Sequence, residues 1–417
     1  MTLAAETAMA IPVQTRAAPP EKPAAGTPAF WRTARGMFVG GFGTFVMLYS
    51  LQPLMPQFSD AFGVSPAAAS GVVSAATGCL ALGLLPASVL ADRFGRKPVM
   101  VIALAVAALL TVLSAFAGSF QQLLVLRGLV GLALAGLPAT GMAYLSEEME
   151  RASLGRVMGL YVGGNALGGM SGRLITALLI DHFSWRVAVG VTGVLGLVAA
   201  VEFWRSLPAS RHFKPASVKF ADIWHDARTH FADGGLPLLF ATSFVLMGCF
   251  VSLYNYLGYR LAAAPFNLTS SQLGMVFSLY IVGIWASAQA GRLADRMGRR
   301  NVLWLMLGVM LLGLALTLAN RLAVVILGLT LCTVGFFGGH AVASSWVGMR
   351  AQRAKALASA IYLCSYYLGS SLLGSVSGFA WQSKGWLGVA GLLAVALILG
   401  MAGALKLRRL QPLPVQP

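Results

Sequence analysis

Apolar residues run along this chain in long blocks separated by short polar breaks, and the blocks are longer than the strands or amphipathic helices of a water-soluble domain. A bilayer core of about 30 Å takes about 20 mostly apolar residues in a helix. Twelve stretches meet that length: 36–57, 69–90, 98–117, 121–143, 157–179, 186–204, 236–259, 271–290, 302–319, 322–346, 356–379 and 386–405. They divide into bundles of six over 36–204 and 236–405, joined by a polar linker, 205–235. Residues 1–35 and 406–417 are expected to be tails. The first is rich in Ala and Pro and lacks the apolar core of a secretory signal, so it is expected to be disordered.

The two sets of six are copies of one another. LADRFGRK at 90–97 returns as LADRMGRR at 293–300, and YVGGNALGG at 161–169 returns as YYLGSSLLG at 366–374. The offsets, 203 and 205 residues, nearly agree, and each pair occupies the same place in its half, which points to duplication. The expected fold class is therefore an all-α membrane protein of two pseudo-symmetric six-helix bundles.

Composition sharpens this picture. The hydrophobic set makes up 58% of the chain and charged residues only 10%, too few to clothe a soluble fold of 417 residues. A net charge of +17 would suit nucleic acid if it formed one face. The basic residues instead sit in loops. The outer loops hold Arg186, Arg260, Arg321 and Lys384, Arg127 and Arg173 fall inside predicted helices, and the rest of the 30 lie in the tails and inner loops. That asymmetry predicts a multi-pass protein with both termini cytoplasmic and no nucleic-acid role. The cysteines, Cys79, Cys249, Cys332 and Cys364, lie within apolar runs without metal-site spacing and read as packing residues.

The two D-R-x-G-R-[KR] loops resemble the signature loop of the major facilitator superfamily, and the resemblance covers essentially the whole chain. YLSEE at 144–148, GGMSGRLI at 168–175, SRHF at 210–213 and SYYLGSS at 365–371 make it similar to the drug and sugar efflux branch, the arabinose-efflux type. The resemblance implies a bacterial inner-membrane secondary transporter whose bundles rock around a midplane site, working as a monomer. It also implies protons as coupling ion, a small-molecule solute and no other cofactor.

It assigns roles residue by residue. Asp92, Arg93, Gly95, Arg96 and Lys97, with Gly291, Asp295, Arg296, Gly298, Arg299 and Arg300, form the loops that would latch the bundles in one state. Ser88 stands where the first copy's pattern prefers Gly. Gly164, Asn165, Gly168 and Gly169 resemble the antiporter helix-5 motif G-P-x-x-G-G with Asn in place of Pro. Small residues there would let the halves approach and slide.

Arg127 resembles a helix-4 Arg linked to proton coupling, with snorkelling to the outer surface as the structural alternative. Arg173 lies nearer mid-membrane, where it could hold an anionic solute, form part of the proton relay, or instead pair with the second half. Of the 13 carboxylates only Glu202 falls inside a predicted helix, near its inner end, so proton carriers are sought among Arg127, Asp92, Glu147, Glu148 and His340. Glu147 and Glu148 could equally lock the inner surface, and His340 could be a hydrogen-bonded packing residue. Helices 1, 7, 8 and 11 offer Tyr49, Gln52, Tyr254, Asn255, Tyr256, Tyr280, Trp285, Tyr362, Tyr366 and Tyr367 as cavity lining, or as a belt at the membrane interface.

No HExxH, nucleotide-binding GxxxxGK[ST], well-placed GxSxG or paired intramembrane aspartates point to an enzyme. No loop is long enough for a nucleotide-binding domain. Proton-coupled efflux of a small organic or amphipathic solute is the leading expectation. Proton-coupled uptake of an organic anion held by Arg173, or a sensor that binds without flux, are the alternatives.

Overall fold

The computed structural model describes residues 22–213 and 220–410. The remainder of the expected N-terminal tail, residues 411–417 and linker residues 214–219 lie outside the described residues.

Local chemistry sets where the helices start and break. Helix α1 (Pro28–Tyr49) begins behind Thr27, whose hydroxyl accepts the Phe30 N–H, with Pro28 at the first helical position, where no N–H is missed. Residues 28–35, expected as disordered tail, are therefore helical: the capping signal outweighs the thin hydrophobicity. Pro53, which has no N–H to continue the ladder, coincides with the break after α1. A 3₁₀ turn, Gln52–Leu54, leads into α2 (Met55–Phe62). Then follow α3 (Pro66–Ala69), α4 (Gly71–Phe94), α5 (Arg96–Ser114), α6 (Phe120–Leu134), α7 (Gly136–Glu148), α8 (Arg151–Ile180) and α9 (Trp185–Ser206). The linker is not wholly irregular, since it carries α10 (Phe220–Ala232).

The second half comprises α11 (Leu236–Ala262), α12 (Ser270–Val276), α13 (Tyr280–Met297), α14 (Arg299–Leu316), α15 (Leu322–Arg350) and α16 (Lys355–Arg409). A kink at Lys384 and Gly385, where Gly385 takes φ of 54°, divides α16 into two spans. Ten helices or broken helix pairs are long and apolar enough to cross a membrane. With α8, and with α16 counted twice, the twelve predicted spans are all present among the described residues. The structure closes each of the two signature loops on a glycine in the left-handed region, Gly95 at φ 96° and Gly298 at φ 84°.

Pro23, bonded to Glu150, and Leu410, beside Gly234, lie at the side of the bundle that carries the linker, the terminal end; the opposite side is the distal end. Helix α8 packs along α1 inside the first half. A Cβ on Gly164 would come within 2.3 Å of the Phe38 carbonyl oxygen, and one on Gly168 within 2.2 Å of that of Phe42. The second half repeats this contact: a Cβ on Gly369 of α16 would lie 2.1 Å from the Phe244 carbonyl oxygen of α11. The sequence repeat is thus a packing repeat. It also corrects an expectation, because these glycines bring helices together within a half, not across the two halves. Gly163 on the other side of α8 meets nothing within 4 Å.

The halves join at the distal end. Ser59 Oγ lies 2.9 Å from Tyr259 Oη, the Ser271 N–H donates to Asp181 at 2.9 Å, and Ser371 Oγ donates to the Ser74 carbonyl at 2.8 Å. Close contact backs these bonds, since a Cβ on Gly274 would lie 2.5 Å from Ala177 Cβ, and one on Gly378 2.4 Å from Ala67. At the terminal end the ion pairs stay within a half: Asp92–Arg96 at 2.7 Å, Arg96–Glu147 at 2.9 Å and Asp295–Arg299 at 3.4 Å.

Candidate functional site

Where α1 breaks, its last carbonyls lose their helical donors and must be satisfied otherwise. Arg127 on α6 does this. Its Nη1 donates to Met47 O at 3.0 Å, its Nη2 to Leu48 O at 2.7 Å, and its Nε to Val72 O at 3.1 Å. Gly131, one turn on, allows the approach, because a Cβ there would sit 1.9 Å from the Ala76 carbonyl oxygen of α4. Arg127 is wholly buried, so it does not snorkel to the surface. Its guanidinium braces α1 against α4 and α6.

The break also turns the end of α1 and the following turn toward α8 and the second half. Arg173 of α8, 2% exposed, donates from Nε to Gln52 Oε1 at 2.5 Å and from Nη1 to Gly169 O at 2.7 Å. Gln52 Nε2 in turn donates to Asn255 Oδ1 of α11 at 2.6 Å. The Arg173 guanidinium carbon lies 4.4 Å from the Tyr49 ring centre, 5.1 Å from that of Tyr280 and 5.3 Å from that of Phe277. No carboxylate joins this group among the described residues. An ammonium or guanidinium enclosed by aromatic faces gains cation–π attraction, but its charge is left unneutralised.

Beside it Asn255 Nδ2 is buried without a protein partner, and the Tyr49 and Ser370 hydroxyls have only each other. Buried polar atoms ordinarily find partners. A guanidinium, an amide N–H and two hydroxyls in one aromatic-walled place make a donor-rich site for an anion that carries apolar surface.

The aromatic wall continues into the second half. Tyr280 lies 5.4 Å from Phe250, which stacks on Phe336 at 3.9 Å, and His340 stacks on Phe336 at 6.2 Å. His340 Nδ1 is 3.0 Å from Tyr362 Oη, and Tyr366 lies 4.8 Å from the imidazole. The Tyr254 hydroxyl pairs with Thr333 at 3.1 Å. Tyr49, Tyr254, Tyr280, Tyr362, Tyr366 and Tyr367 are thus interior residues, not an interfacial belt. Tyr256 is buried as well, but it bonds Gly374 O at 3.0 Å and stacks on Trp381, placing it in the distal closure. Trp285 is 61% exposed on the outside of the bundle and lines nothing. Sequence reasoning misses Phe250, Phe277 and Phe336, since a Phe in an apolar helix carries no polar signal.

Asn165, in the place of the motif's Pro, packs against α1, where a Cβ on Gly41 would meet its Oδ1 at 2.2 Å. Gly169 supplies the carbonyl that holds Arg173. Gly291 meets nothing within 4 Å, so its small size is not used for packing in this conformation. Arg93 and Arg296 are exposed, Arg300 is half-buried, and Lys97 reaches across to Leu207 O at 2.5 Å. Glu147 holds Arg96, and Glu148, 6% exposed, accepts the His212 N–H at 2.8 Å and pairs with its ring at 3.0 Å. These acids bind the terminal-end surface of the first half together. Asp233 does the same in the second half. Burial would raise its pKa, but Arg350 at 2.5 Å and the N–H groups of Leu236 and Gly235 outweigh that and hold its carboxyl below the usual range.

The sequence profile of the Major Facilitator Superfamily matches residues 37–261 and again 258–417. The chain belongs to the major facilitator superfamily. The inner membrane transport protein YnfM of Escherichia coli is 44% identical, over 92% of each chain. Over a shorter stretch, 42% of this chain and 39% of the other, the 4-hydroxybenzoate transporter PcaK of Pseudomonas putida is 35% identical. Among solved structures, that of the nucleoside transporter NupG superposes with a TM-score of 0.74 at 16% identity, covering 89% of this chain and 99% of that one. The protein is a multi-pass membrane transporter of small solutes, a secondary transporter and not an enzyme.

Proposed function

We propose that this transporter carries a small organic anion with an aromatic or similarly flat apolar body, bound at Arg173 and released by alternating opening of the two ends. The observation that carries this reading is the buried, carboxylate-free Arg173 guanidinium, walled by Tyr49, Tyr280 and Phe277 and accompanied by the unpartnered Asn255 amide N–H. An isolated charge at the centre of a membrane helix costs at least about 2.5–3.5 kcal/mol. A bound anion offsets that cost, and the aromatic faces accept its body. The partial relative PcaK, whose name gives an aromatic carboxylate as its solute, is in keeping with this chemistry.

Export in exchange for protons, which the resemblance to the efflux branch suggests, calls for a group that gives up its proton when solute binds. Helix α1 offers no carboxylate for that role. The export reading therefore rests on the resemblance, and the anion reading on the geometry.

The test is binding by the purified full chain of a panel of aromatic carboxylates and sulfonates, followed by thermal unfolding and calorimetry. At least one is expected to bind with micromolar to millimolar affinity and to lose at least about tenfold on Arg173→Gln, the equivalent of about 1.4 kcal/mol. Neutral and cationic aromatics binding as well as the anions, with Arg173→Gln unaffected, would overturn the reading.

A further inference from the structure

The aromatic wall that starts at Arg173 ends at the one imidazole placed mid-helix in a described membrane span. His340 lies well inside α15, half-buried, with Nδ1 3.0 Å from the Tyr362 hydroxyl and its ring against Tyr366 and Phe336. Tyr366 in turn neighbours Tyr49 and Tyr280, the residues that cover the Arg173 guanidinium. The two cationic or potentially cationic groups thus flank one interior region, Arg173 from the first half and His340 from the second.

The groups around His340 leave its charge to itself. On α13 and α14 the charged side chains, Arg292, Asp295, Arg296, Arg299 and Arg300, lie in the turns at the terminal end, as does Arg350 on α15 itself. The titratable side chains that touch it are Tyr362 and Tyr366 of α16, while Cys249 of α11 and Cys332 of α15 sit in a separate apolar cluster with Met310 and Leu393, and the Tyr254 hydroxyl is held by Thr333. No ion pair of His340 occurs among the described residues. Imidazole gains or loses its charge near neutral pH, whereas a guanidinium keeps its charge throughout and an ordinary tyrosine titrates near 10.

We infer that His340 is the proton-binding group of this carrier and that it binds its proton together with the anionic solute, so that proton and anion travel in the same direction. The inference rests on the anion reading of Arg173. The sign follows from Coulomb's law in a medium of low dielectric constant. An imidazolium attracts an anion seated between it and Arg173, and the anion screens the two cations from each other. Each ligand thereby favours the other, and the coupling is reciprocal by linkage. Exchange of proton against solute would need the opposite sign, as between a proton and a cationic solute competing for one carboxylate. With an inward proton gradient, the linkage found here drives accumulation of the anion rather than export.

The experiment adds the tightest-binding member of the aromatic carboxylate and sulfonate panel to the purified full chain in a lightly buffered solution near pH 7. Proton movement is followed with a pH-sensitive dye. Wild type is expected to take up protons as the anion binds, and its affinity to rise by up to about tenfold per pH unit on acidification through the imidazole range, the limit for one linked proton. His340→Gln, and His340→Asn as a second replacement should the first fail to fold, is expected to bind the anion with a flat pH dependence and no proton uptake. Proton release on binding, or uptake that persists at full size in both His340 replacements, would overturn the inference, as would binding with no proton movement in wild type. Failure of every panel member to bind wild type would instead strike the anion reading of Arg173.

Discussion

A charged side chain inside a membrane bundle can serve the solute or serve the fold, and the two buried arginines divide these roles. Arg127 spends both terminal nitrogens on main-chain oxygens left open by the break in α1 and its Nε on Val72 O of α4. Arg173 spends only one bond on its own helix and one on Gln52. Replacing Arg127 by Leu removes the brace and leaves the Met47 and Leu48 carbonyls at the end of α1 buried without it, at about 1–3 kcal/mol for each group left unsatisfied. The variant is expected to reach the membrane at reduced abundance and to unfold at lower temperature, while solute affinity per folded molecule stays near wild type, as size-exclusion yield and calorimetry would report. Wild-type stability with lost binding would move Arg127 into the solute site. The sequence placed both arginines within helices but could not separate them. What separates them is the distance of each guanidinium from carbonyls made available by a helix break, which depends on the path of another segment.

At the scale of elements, the glycines of α8 show how a motif can be read correctly in composition and misplaced in partner. Their spacing predicts close helix approach, and the approach is there, but to α1 of the same half. Gly168→Val would push a branched side chain into the Phe42 carbonyl, at about 1–3 kcal/mol for overpacking and more if α1 cannot shift. Gly163, on the open side of the same helix, has nothing within 4 Å of an added Cβ, and Gly163→Val is expected to fold normally. Thermal unfolding of the pair distinguishes packing from general intolerance of side chains on α8, since equal loss in both would contradict the packing account. Twelve spans, the linker and the duplicated loops were legible because hydrophobic length and repeat offset are local properties of the chain. The starts of α1 and α10 were not, because a cap and an amphipathic turn weigh little in a count of apolar residues.

For the whole molecule, the hydrogen bonds and close contacts between halves concentrate at the distal end, while the named terminal-end ion pairs hold each half together. Alternating access requires the distal closure to open and Arg173 to exchange its contacts with Gln52, Tyr280 and Phe277 for the solute. The aromatic and polar residues of the site were visible in the sequence as types; their convergence on one guanidinium needed both halves in place. The most direct measurement is uptake of a labelled aromatic anion into proteoliposomes by Gly78→Cys/Ser371→Cys, with the four native cysteines replaced. A Cβ on Gly78 would lie 3.4 Å from Ser371 Cβ, close to disulfide range, so oxidation would bind α4 to α16 across the two halves. Saturable flux is expected under reducing conditions, its loss on oxidation, its return on reduction, and no flux when Arg173→Gln is added. Flux that survives the cross-link, or that survives Arg173→Gln, would contradict the account.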